Sequence, residues 1–144
     1  MGELVSLVEL LKRADASLFP AADSAELVAL LQSARADLSL DPPSDYMAFL
    51  RQSDGAVADG LMLYGIKSRK VEDAEMPALI EINLRRRAYR EDLVDLIQLG
   101  EIDDDIVGFH PKDQQYWLID RSSGECQEKS GNLKELVEKL IAHD

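Results

Sequence analysis

Few residues in this chain have types and spacing that could do chemistry. The histidines are His110 and His143, and the single cysteine is Cys126. A Cys–His nucleophile pair would need Cys126 and one histidine brought together by the fold, and nothing in the spacing requires that. Cys126 in a short strand is read instead as a small buried apolar residue. Glu101-x-Asp103-Asp104-Asp105 offers hard oxygen ligands. An EF-hand loop, however, needs acids at alternating positions, Gly at the sixth and Glu at the twelfth. Counted from Asp103 the sixth is Gly108, but its neighbours read as strand, and the twelfth is Gln114. The acidic run is thus expected to be a solvated turn or a surface that meets Lys and Arg on a partner. Arg85, Arg86, Arg87 and Arg90 could bind phosphate or carboxylate, but the ordinary reading is a solvated helix end, where cations suit the dipole. There is no G-x-S-x-G, no H-E-x-x-H and no phosphate-cradling Gly-rich loop. No catalytic, cofactor or metal residue is assigned.

Charge and length narrow the classes further. The 144 residues carry a net charge of −12. That balance argues against duplex nucleic acid as a partner, because binding phosphates needs Lys and Arg. It permits a basic protein. From Gly65 to Arg90 there are seven Lys or Arg and four acids, whereas Glu91 to His110 holds seven acids and no Lys or Arg. One domain over residues 1–144 is expected, large enough to fold without disulfide or metal. One cysteine permits no internal disulfide, which suggests a reducing, cytoplasmic compartment. The first fifteen residues lack a basic n-region and cleavage site. No stretch approaches the ~20 apolar residues of a membrane span.

The elements that would position these residues follow from periodicity. Leu4, Leu7, Val8, Leu11 and Ala14 predict a helix over about Glu3–Ala16, closed by Phe19-Pro20. Asp23, with Glu26 three residues on, predicts a capping box. A second helix follows, burying Leu27, Leu30, Leu31, Ala34 and Leu38, and the short link makes the two helices antiparallel neighbours. Pro42 and Pro43 bias the chain away from helix, Ser44 is the expected N-cap, and Tyr46, Phe49 and Leu50 share one face of a third helix. Asp54-Gly55 stops it. Leu61–Tyr64 reads as a strand and Gly65–Glu75 as a loop. Met76-Pro77 opens another helix, with Pro in its first turn. Leu93–Leu99, Ile106–Phe109, Tyr116–Ile119 and Cys126–Glu128 read as a meander of antiparallel strands with turn chemistry at each break. Asn132 caps a final helix with the stripe Leu133, Leu136, Val137, Leu140 and Ile141. The expected fold is α+β: a central, mainly antiparallel sheet of about four to five strands, flanked by N-terminal helices (about 1–40) and a C-terminal helix.

Two portions of the chain resemble a known family. One is Pro43-Ser-Asp-Tyr-Met-Ala-Phe-Leu50 with Asp54-Gly55 and Gly60-Leu-Met-Leu-Tyr-Gly65. The other runs from Leu99-Gly-Glu101 through Gly108-Phe-His-Pro-Lys-Asp113, Tyr116-Trp-Leu-Ile-Asp120 and Gly124-Glu125 to the last helix. Together they resemble the SUKH superfamily, the Smi/Knr-type cell-wall-regulator domain, and within it a YrhA-like member. Asp54 stands where Asn is usual, and Asp tolerates the same turn. The resemblance covers about residues 40–141. It implies an α+β fold and a non-enzymatic role. Bacterial members are often immunity proteins that bind a cognate secreted toxin, frequently a nuclease; fungal relatives are regulatory interaction proteins. The resemblance supplies no contact residues.

The charge pattern does suggest some. A nuclease cleft is basic, and an acidic inhibitor can imitate its substrate. Glu101, Asp103, Asp104 and Asp105 are the expected contacts, with Asp54 and Asp59 behind them. The alternative is a regulatory or scaffold module that binds a host protein through an apolar patch. The third class, an enzyme using Cys126 or His110, has no substrate suggested by the sequence.

Overall fold

Alternation along two strands sets the layers. In β7 (Asp105–His110) and β8 (Gln115–Asp120), Val107, Phe109, Tyr116 and Leu118 enter one apolar cluster, while Ile106, Trp117 and Ile119 enter another. Successive side chains of a strand point to opposite faces, so this sheet is covered on both sides, by unequal amounts. The computed structural model describes residues 6–58 and 60–141.

The fold is α+β, as expected. Among the described residues, seven strands form one antiparallel sheet in the order β1-β2-β3-β6-β7-β8-β9. These are β1 (Ser17–Leu18), β2 (Ala56–Ala58), β3 (Leu61–Leu63), β6 (Ile97–Ile102), β7, β8 and β9 (Cys126–Ser130). A separate hairpin of β4 (Arg69–Val71) and β5 (Ala74–Met76), followed by α4 (Leu79–Arg87), is inserted between β3 and β6. The sheet therefore exceeds the expected four to five strands. The added members β1 and β2 have two and three residues, too few for alternation to register. Gly65–Glu75 is not a plain loop but contains most of the β4–β5 hairpin, whose strands are polar and largely unburied. Conversely, Leu93–Leu99 is only partly strand. Glu91–Leu93 is a 3₁₀ turn and β6 begins at Ile97.

The large cluster fills the face under the helices. α2 (Ser24–Ser33) carries the predicted capping box, with Asp23 and Glu26 each accepting the other's backbone N–H. It widens into a π-helical turn over Ala34–Leu38, which buries Ala34 and Leu38. α1 (Leu7–Arg13) is capped by Ser6 and lies chiefly against α5 (Leu133–Ile141), not in the expected hairpin with α2. Leu4 and the predicted start at Glu3 lie outside the described residues. In α3 (Ser44–Leu50) the N-cap is Pro43, without a side-chain hydrogen bond; Ser44 is already helical. Likewise the N-cap of α4 is Ala78, because Met76 belongs to β5. Asn132 does cap α5, accepting from the Glu135 N–H at 3.2 Å.

The smaller cluster on the second face is Leu93, Leu96, Ile106 and Ile119, with Trp117 at its margin. Gly108 makes room for it, since a Cβ there would come within 2.6 Å of the Leu96 side chain. On the first face, Gly55 has φ +99°, and a Cβ would meet the Leu63 carbonyl oxygen at 2.8 Å and Met76 Cε at 2.9 Å. It belongs to the turn into β2 rather than to the end of α3, which stops at Leu50.

One hydroxyl ties these layers together. Tyr46 of α3 is fully buried. Its hydroxyl donates to the Tyr64 carbonyl just past β3, with the Leu99 carbonyl of β6 at 3.1 Å. Removing a buried partner leaves a polar group without water, which costs about 1–3 kcal/mol. Tyr46→Phe is therefore expected to lower unfolding stability by that amount in urea titration, with the slope against denaturant unchanged.

Candidate functional site

The acidic run is built on the β6–β7 hairpin. Ile102 pairs with Asp105, so Asp103 and Asp104 form a two-residue turn. Asp103 has φ +51°, a left-handed conformation that Asp tolerates better than most residues. Its N–H donates to the Gly60 carbonyl at 3.1 Å, which fixes the turn to the β2–β3 connection. Asp103 and Asp104 are exposed, and Asp105 is half-buried. Across the sheet Asp105 faces Asp120 of β8. The sequence reading missed Asp120, and strand pairing is the signal that places it there. Asp120 accepts from the Ser122 and Ser123 N–H groups, each at 2.9 Å, which holds its carboxyl below the usual range. The carboxyl of Asp105 moves the other way. Burial pushes it up, and so do the charges of Asp120, Asp104 and Asp103, only partly offset by Arg121. This end of the sheet is a set of like charges under mutual repulsion.

Two of the expected contacts do something else. Glu101 is not in the turn but in β6, on the second face of the sheet. Its carboxylate accepts from the Tyr64 hydroxyl at 2.5 Å, from Arg86 at 3.0 Å and from Arg121 at 2.8 Å. Asp54 is 2 % exposed. It accepts from the Ile66 N–H at 2.6 Å, the Lys67 N–H at 3.3 Å and Arg69 at 3.0 Å, and so closes the chain after β3. Neither carboxylate is free for a partner. Asp59 lies outside the described residues. Of the six expected contacts, then, Asp103, Asp104 and Asp105 stand together at the surface.

The arginine run is likewise internal for the most part. Arg86 is buried, donating to Gln98 Oε1 at 2.6 Å and the Tyr64 hydroxyl at 3.1 Å besides Glu101. Arg87 donates to the Leu38, Val94 and Leu96 carbonyls at 2.9, 3.0 and 3.4 Å. Arg90 binds Asp92 and the Arg121 carbonyl. Only Arg85, paired with Glu81 one turn back, behaves as a solvated helix end.

The chemical candidates also settle into plain roles. Cys126 is exposed, not buried as the sequence suggested. It sits on the outermost strand of the sheet. His110 stacks on Trp117 with ring centroids 4.4 Å apart and planes 11° apart. Trp117 Nε1 donates to Asp113 at 3.1 Å, and Lys129 Nζ lies 4.2 Å from the Trp117 ring. These contacts make His110 part of a packed aromatic wall. His143 lies outside the described residues. Among the described residues no group of three or more His, Cys, Asp or Glu is arranged to hold a metal ion, and no helix is long and apolar enough to cross a membrane.

No protein-family model matches this chain, and no characterised protein matches it significantly in sequence.

The environment of Glu101 has a pH consequence. Burial alone would raise its carboxyl, but the Tyr64 hydroxyl and the two guanidiniums outweigh burial and hold it below its ordinary value of 4.5. A depressed folded-state pKa stabilises the protein above the unfolded value, and that contribution is lost as pH falls through the folded value. Glu101→Gln should therefore flatten the dependence of thermal stability on pH below about 4.5. At pH 7 it should be less stable than the native chain. A variant with an unchanged acid limb would show that Glu101 carries none of this linkage.

Proposed function

We propose that this chain is a non-enzymatic binding domain whose acidic β6–β7 hairpin engages a basic protein. The most specific form of the reading is a cytoplasmic immunity protein of the SUKH type that occludes a secreted nuclease toxin. The observation that carries it is the acidic cluster at the end of the sheet, which Arg121 offsets only in part. Asp103 and Asp104 project from a turn pinned to Gly60, and Asp105 and Asp120 face each other just behind. Burial, and then the charges of Asp120, Asp104 and Asp103, raise the Asp105 carboxyl above its ordinary value. A cationic partner surface would relieve that repulsion, and fields of this sign accelerate encounter with basic proteins. Glu101 and Asp54 support the site from inside instead, the first by tying β6 to α4, the second by fixing the chain after β3. The family resemblance over residues 40–141 supports the immunity assignment, and the single cysteine supports a reducing compartment.

A second reading has its own observation. Tyr89, Val94 and Leu84 are large apolar residues left 69 %, 44 % and 43 % exposed around α4 and the 3₁₀ turn. A regulatory module would bind its host partner through such residues, and that binding would resist salt.

The variant that separates the two combines Asp103→Asn with Asp104→Lys. Asn keeps the left-handed turn accessible, so thermal stability should stay nearly unchanged. The tagged native chain and this variant are used for capture from the source cells at low and high salt. The immunity reading expects one stoichiometric basic protein, lost as salt rises. With that protein purified, the variant should associate about ten-fold more slowly. A partner held equally by both chains at high salt would favour the apolar surface and remove the hairpin from the account.

A further inference from the structure

A second candidate site lies away from the hairpin. It is a cleft of about 610 Å³ between the segment that leads into α3 and the far ends of β7 and β8. That volume falls in the range of small-ligand sites, roughly 300–1,000 Å³. Phe109 lies four residues along β7 from Asp105, so the two sites are separated by about 14 Å along the strand at ~3.4 Å per residue.

The walls combine stiff apolar residues with a larger share of polar ones. Pro42 and Pro43 keep the chain extended ahead of α3, Pro43 having φ −66° and ψ 146°. Phe109 and Tyr116 pair across β7 and β8, with ring centroids 5.0 Å apart. Tyr116 is 2 % exposed overall and lines the cleft; its hydroxyl makes no hydrogen bond to the described residues but is not enclosed, so it keeps contact with the solvent of the cleft. Buried tyrosine hydroxyls usually find a partner. Here the group nearest in electrostatic effect is Asp45. Burial first, and then the Asp45 charge, push the Tyr116 hydroxyl well above its ordinary value.

The charge of the lining decides what fits. Among the described residues Arg35 is the only base in the wall, and it is already bound to Asp41 through bonds of 2.7 and 3.4 Å. Asp45 has no ion pair among the described residues, although it too lines the cleft. An anion would meet Asp45 without a free cation to balance it. An apolar group would give the exposed Asp45 carboxylate no counter-charge and would cover the Tyr116 hydroxyl without a hydrogen bond, which is unfavourable.

We propose that this cleft binds a cationic group, a guanidinium or primary ammonium, with Asp45 as counter-ion and the Tyr116 hydroxyl as hydrogen-bond acceptor. Pro42, Pro43 and Phe109 cover the methylene stem that carries the charge. The group can arrive as a free amine or as an arginine side chain of another protein. The inference stands apart from the acidic hairpin and from the identity of any toxin.

The test uses the full chain labelled with ¹⁵N, titrated with agmatine and, separately, with the capped peptide acetyl-Gly-Arg-Gly-amide. Saturable amide shifts confined to Asp45, Gln114, Tyr116 and Gly131 are expected from at least one probe. Saturation by agmatine identifies a site for free amines, and saturation by the peptide alone identifies a site for a protein side chain. Asp45→Asn should weaken the saturable binding about ten-fold, and Tyr116→Phe about three-fold, in line with a lost charged and a lost neutral hydrogen bond. Tyr116→Phe keeps the ring and so reports on the hydroxyl alone. The Asp103→Asn, Asp104→Lys variant should bind both probes as the native chain does. Shifts that rise linearly and spread over all acidic surfaces would overturn the proposal, as would saturation that Asp45→Asn leaves unchanged.

Discussion

Glu101 and its three donors are the constraint on which the rest of the second face depends. Its carboxylate joins β6 to Tyr64 beyond β3, to Arg86 on α4 and to Arg121 beyond β8. These groups come from four separate parts of the chain. Two of them are charged and largely withdrawn from water, with side chains 9 % and 23 % exposed. An ion pair so placed adds little net stability over an apolar pair of the same shape, but losing one partner of a buried pair costs about 3–5 kcal/mol. The network therefore acts mainly as a selector. It admits one register of β6 against β3 and one placement of α4, and penalises the alternatives. Gln98 and Asn83 extend it: Asn83 receives the Gln98 N–H at 2.8 Å and donates to the Leu79 and Gln98 carbonyls.

This use of charge explains how a chain with 28 acids and 16 bases divides its electrostatics. Arg69, Arg86 and Arg121 are spent on Asp54 and Glu101 inside the structure. Arg87 is spent on backbone carbonyls. These basic residues are thus drawn inward or against the surface instead of moderating the outside. The end of the sheet at Asp103–Asp105 keeps its sign, with Arg121 as its nearest moderating charge. The field at one end of the sheet is a by-product of how its middle is held.

Much of the fold was legible in the sequence, for identifiable reasons. Caps and stripes are local, so Asp23 with Glu26, Asn132, and the Tyr46, Phe49 and Leu50 face could be read directly. The hairpins from Ile106 to Glu128 were legible because turn residues recur at short spacing. What escaped depends on pairing between distant segments. β1 exists because Ser17 and Leu18 meet Val57 and Ala56, and two residues carry no pattern of their own. Glu101 looked like part of an acidic surface because its neighbours are Asp103–Asp105. Its burial comes from Tyr64, Arg86 and Arg121, which lie 37, 15 and 20 positions away. Asp54 looked like a turn residue, and it is one. The turn happens to be lined by Ile66, Lys67 and Arg69. Residue type alone places Cys126 in the interior, whereas its strand is the last in the sheet and mostly faces water.

The order of strands carries one more consequence. Both borders of the seven-stranded sheet are poor templates for another strand. β1 presents only two residues. β9 is five residues long, is offset by an irregularity opposite Leu118 and Ile119, and places Lys129 and Glu128 along its length. Short, bent or charged borders of this kind discourage edge-to-edge joining. Self-polymerisation through the backbone is thereby suppressed at both ends of the sheet, and encounters with other chains are left to side chains.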